Sequence, residues 1–130
     1  MINKDYILDF AKSILEIDSP SGYSGKVIAY LEKELTKKNL SFEKNKKGNL
    51  IITIPGKTEY TVGLSAHVDT LGAMVRSIKG DGTLAFTTIG GPILPTFDGE
   101  YCKVYTRDNK VYSGTILSNS PAIHVYEDAS

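Results

Sequence analysis

At 130 residues the chain has room for one ordinary domain, or for one small lobe joined to part of another. Its 41% apolar and 23% charged residues are those of a soluble globular protein and exclude a disordered or fibrous one. Fifteen Lys and Arg balance fifteen Asp and Glu, so no basic field invites nucleic acid or anionic lipid, and no apolar run approaches the roughly 20 residues of a membrane span.

The start, Met1-Ile2-Asn3-Lys4-Asp5, lacks the apolar stretch of a secretory signal. Ile7, Leu8, Ala11, Ile14 and Leu15 then recur at helical spacing, which predicts an amphipathic helix with Asn3 as its N-cap. Asp18-Ser19-Pro20-Ser21-Gly22 stops it. A second helix is expected from about Ser24 to Lys38, with Val27, Ile28, Leu31 and Leu35 on one face and Lys37 and Lys38 at the negative end of its dipole.

Strand patterns follow. Ser41 to Asn45 and Leu50 to Ile54 flank the turn Lys46-Lys47-Gly48-Asn49. After Pro55-Gly56, the run Tyr60 to His67 is nearly all apolar or small, as in a strand buried on both faces. Beyond it, Ala73 to Ile78 and Thr83 to Ile89 read as a β-hairpin about Gly80-Asp81-Gly82. Tyr101 to Thr106 and Lys110 to Leu117 read as another about Asp108-Asn109, with no helix longer than about two turns between residues 73 and 117. The expected fold is α/β: residues 1–71 are part of a lobe with a mixed sheet, and residues 72–130 a β-rich, barrel-like unit. The lone Cys102 cannot form an internal disulfide, and a cytoplasmic protein is expected.

Several chemical motifs fail on their own terms. Gly25-Lys26 has Pro20 where a phosphate loop needs its earlier glycine and Val27 where it needs Ser or Thr. Gly63-Leu64-Ser65-Ala66-His67 lacks the last glycine of a nucleophile elbow. His124 has no second histidine at zinc-helix spacing and reads as an exposed or structural residue. Tyr101, Tyr105, Tyr112 and Tyr126 read as faces of the β-unit.

One segment remains, Leu64-Ser65-Ala66-His67-Val68-Asp69-Thr70-Leu71-Gly72. On a strand, His67 and Asp69 share a face, about 6.5–7 Å apart at Cα. A neutral imidazole suits zinc or cobalt, and a carboxylate beside its other nitrogen would set its orientation. Taken alone, the pair reads equally as a satisfied histidine at a strand end.

The run Ser65 to Arg76 resembles the first metal-binding strand of the glutamyl and tetrahedral aminopeptidase family, also known as endoglucanase M. Ser19-Pro20-Ser21-Gly22 resembles its early loop, and Thr88-Ile89-Gly90-Gly91 and Val104-Tyr105-Thr106-Arg107-Asp108 resemble its inserted β-domain. The resemblance implies that His67 is a ligand of one metal and that Asp69 is the catalytic-centre aspartate orienting it. It also implies two divalent ions (zinc or cobalt), peptide substrates, a homo-oligomer, and hydrolysis of N-terminal amino acids. The family's bridging aspartate, Glu-Glu pair, further carboxylate and last histidine have no counterpart here, so the chain is expected to be inactive alone, holding at most one ion weakly. Two other readings stand beside it: a non-enzymatic assembly or binding module, and a related metal-dependent deacylase.

Overall fold

Asn3 opens the first element as the sequence predicts. Its side chain accepts a 3.0 Å hydrogen bond from the Tyr6 amide, capping helix α1, Lys4–Leu15. Such a cap is worth about 1 kcal/mol. The computed structural model describes residues 3–118. Helix α2, Gly25–Lys37, ends in a Schellman motif: Asn39 takes a left-handed φ of 54°, the Leu40 amide donates to the Leu35 carbonyl and the Asn39 amide to that of Thr36. The helices meet through Phe10 and Tyr30, whose ring centroids lie 6.0 Å apart, and Lys38 sits 4.0 Å from the centroid of the Tyr6 ring.

Strands β1, Glu43–Lys44, and β2, Leu50–Ile51, form a short antiparallel pair around a turn organised by Asn45, whose Oδ1 accepts from the amides of Lys47 and Asn49. Both are shorter than the patterns suggested. Strands β3, Gly72–Ile78, and β4, Leu84–Ile89, make the first predicted hairpin, with an irregularity between Val75 and Ser77 that shifts the register. Strands β5, Tyr101–Tyr105, and β6, Val111–Thr115, make the second. Between them lies one 3₁₀ turn, Leu94–Phe97. The chain divides into two compact units, Met1–Gly90 and Gly91–Ser130.

Two expectations fail among the described residues. Each sheet there is two-stranded and antiparallel, so no mixed sheet forms, and the only parallel pairing is the isolated bridge between Pro20 and Thr70. The run Tyr60 to His67 belongs to no strand, and Tyr60 and Leu64 are 83% and 97% exposed. Its apolar composition suits a central strand. Such a strand needs a neighbour on each edge and a layer on each face, and no described segment supplies them. The same shortage shows in the helices: α1 buries no residue and α2 only Val27.

The turn of the β3–β4 hairpin makes a testable electrostatic statement. Asp81 Oδ1 accepts from the Thr83 amide at 3.0 Å and from the Thr83 hydroxyl at 2.7 Å. These bonds, the amide's first, hold the Asp81 carboxyl below the ordinary carboxylate range. A depressed folded value stabilises the turn above the unfolded carboxylate's pKa, and that contribution is lost as pH falls through the folded value. Followed by carboxyl ¹³C shifts, Asp81 should titrate at lower pH in the folded chain than in urea, with the Thr83 amide moving at the same midpoint. Equal midpoints would contradict this account.

Candidate metal-ligand site

The loop after α1 docks against the segment that carries the candidate ligands. The Ser19 hydroxyl, fully buried, donates to the Val68 carbonyl at 2.9 Å. The Thr70 amide returns a 2.9 Å bond to the Ser19 carbonyl, beside the Pro20–Thr70 bridge. Pro20 has no amide to donate, so it cannot extend the pairing as a ladder residue. The turn closes through the Tyr23 amide on the Pro20 carbonyl at 2.7 Å, with Gly22 at a φ of +86°. Residues 67–70 thus gain a fixed course without belonging to a sheet.

On that course His67 and Asp69 meet. His67 Nδ1 lies 3.0 Å from Asp69 Oδ1 and 3.2 Å from the Asp69 carbonyl. Both facing atoms are acceptors, so Nδ1 carries the hydrogen and donates it; in the neutral ring Nε2 then keeps its lone pair. The other carboxylate oxygen, Oδ2, accepts from the Ser21 hydroxyl. Ser21's bond first, and the His67 bond after it, hold the Asp69 carboxyl below the ordinary carboxylate range. The His67 side chain is 83% exposed and that of Asp69 42%.

The two residues singled out in the sequence are therefore brought together. Ser19 and Ser21 were not assigned roles by sequence reasoning. The available signal was the turn-rich Ser-Pro-Ser-Gly run, but nothing in a linear pattern pairs Ser21 with a carboxylate 48 positions away. His124 and Tyr126 lie outside the described residues, as do Glu127 and Asp128. Cys102 is a free thiol, half-buried on β5.

The donor set fits one corner of a metal centre. An imidazole with Nδ1 tied to a carboxylate and Nε2 open is the form in which histidine ligates a borderline divalent ion. Among the described residues, no three His, Cys, Asp or Glu side chains converge to close such a site.

A family model described as M42 glutamyl aminopeptidase matches residues 48–130. The chain is 44% identical over 123 residues to "Putative aminopeptidase YhfE" of Bacillus subtilis (strain 168), covering 94% of this chain and 36% of that protein. It is 31% identical over 106 residues to the glutamyl aminopeptidase of Lactococcus lactis subsp. cremoris (strain MG1363), covering 80% of this chain and 30% of that protein. The crystal structure of TET aminopeptidase from the marine sediment archaeon Thaumarchaeota archaeon SCGC AB-539-E09 superposes with a TM-score of 0.81 at 24% identity, over 94% of this chain and 34% of that one, a likeness of fold. The chain spans about a third of the length of each of these proteins. With a family model matched over residues 48–130 and His67 and Asp69 joined within that span, the chain belongs to the M42 glutamyl aminopeptidase family.

Proposed function

We propose that this chain carries the first metal-binding segment of a two-metal aminopeptidase that removes N-terminal amino acids from peptides. The observation that carries this reading is the 3.0 Å contact between His67 Nδ1 and Asp69 Oδ1, which leaves Nε2 as the ligating atom. When bound, the two ions, zinc or cobalt, would activate a shared water and polarise the scissile carbonyl. The chain's own residues do the preparatory work. Asp69 sets the tautomer and aim of His67, and the Ser19 bonds to Val68 and Thr70 fix the backbone on either side of Asp69. The remaining carboxylates and the general base of the reaction have no counterpart in these 130 residues. In this reading residues 72–130 belong to the inserted barrel-like domain, and the complete enzyme is a cytoplasmic homo-oligomer.

The test uses a protein in which these residues are joined to the remaining length of the family. It should hydrolyse leucyl or glutamyl amides in a metal-dependent way and leave acylated amino acids intact. His67→Ala should abolish turnover, and Asp69→Ala should weaken metal affinity by about 10–100-fold. Cleavage of acylated amino acids alone would favour a deacylase. Full activity in His67→Ala would remove this segment from the metal centre.

A further inference from the structure

The Asp69 carboxylate has two oxygens and two partners, one at each end. Oδ1 faces His67 Nδ1, and Oδ2 takes the Ser21 hydroxyl. A carboxylate bonded only at Oδ1 remains free to rotate about its terminal torsion, which is broad and roughly two-fold. Bonded at both oxygens, it is held in one plane. We propose that Ser21 is a positioning residue: its hydroxyl fixes the Asp69 carboxylate so that Oδ1 takes the His67 Nδ1 hydrogen and Nε2 is kept as the free nitrogen. This rests on the reading of His67 as a metal ligand and adds to it the residue that holds the ligand's orienting group.

The loop itself does not depend on this hydroxyl. Ser19 supplies the buried anchors, through its hydroxyl to Val68 and its carbonyl to Thr70, while Ser21 is exposed. Removing the Ser21 hydroxyl therefore strands no buried polar group and leaves the loop pinned.

The experiment reads the ring directly and needs neither metal nor substrate. The 130-residue chain is labelled with ¹⁵N-histidine in a His124→Gln background, so that His67 is the sole histidine signal. Long-range ¹H–¹⁵N correlations at mildly alkaline pH then report which nitrogen bears the hydrogen. The reference chain should show the Nδ1–H form as the majority. Ser21→Ala should lower its share in favour of the Nε2–H form, the Asp69 carbonyl at 3.2 Å remaining as the other acceptor for Nδ1, and Ser21→Thr, which restores a hydroxyl, should return that share to the reference value. A Ser21→Ala spectrum like the reference, or a Ser21→Thr spectrum like Ser21→Ala, would overturn the proposal. So would a tautomer change accompanied by movement of the Thr70 amide, which would assign Ser21 to docking the loop. Aminopeptidase activity is measured separately on the longer protein, so its absence would fail that reading while leaving the tautomer result standing.

Discussion

Supplied with zinc or cobalt, the 130-residue chain should release nothing measurable from leucyl or glutamyl amides, and the His67→Ala chain should behave identically. The expectation follows from counting donors. A catalytic zinc takes roughly three protein ligands and an open position, and a two-metal site needs more, including a shared carboxylate. Among the described residues no three potential ligands converge, and His67 with Asp69 behind it is one donor. One exposed imidazole holds a divalent ion weakly and provides no base for its water. Enzymes of ordinary competence accelerate their reactions by about 10⁶-fold or more, so the loss here is of the whole effect. The assay has a clear contrary outcome. Hydrolysis that requires metal and disappears in His67→Ala would mean that further donors come from residues such as His124, Glu127 or Asp128, or from a neighbouring copy.

A second large effect is expected at Gly72, where β3 begins beside the docked loop. A Cβ built there would lie 2.6 Å from Pro20 Cβ and 3.3 Å from its Cγ. Those atoms belong to a rigid ring in a loop tied down by the Ser19 bonds, so the ring cannot swing aside. Gly72→Ala should destabilise the docked arrangement by about 1–3 kcal/mol, the usual range for forcing an extra carbon into a filled space. Faster hydrogen exchange at the Thr70 amide, together with a lowered melting temperature, would report it, and unchanged exchange would show that the loop yields. Gly63→Ala is the control, since a Cβ there meets nothing within 4 Å. Gly90→Ala is a different case: its φ of +82° strains any side chain, although the atom it would meet at 2.6 Å, Leu71 Cδ2, is the movable end of a side chain.

Elements whose causes are local are legible in the order of the residues. Asn3 bonds the Tyr6 amide three residues on, the Asn45 turn is closed by its own side chain, and the hairpins around Asp81 and Asn109 join strands adjacent in sequence. Neighbours within a few residues supply the partners in each case, so linear pattern suffices. It also marked His67 and Asp69, because period-2 spacing puts such a pair on one side of an extended chain. What lies beyond that reach depends on how distant segments meet. The apolar run from Tyr60 to Ala66 has a strand's composition, yet whether it is a strand depends on edges offered by other segments, and none of the described ones offers them. Likewise the hydroxyl on Asp69 Oδ2 belongs to Ser21, brought there by the Ser19 and Pro20 contacts with Val68 and Thr70. A hydrogen bond across 48 residues is set by where the chain folds back, and a one-dimensional pattern carries no record of that return.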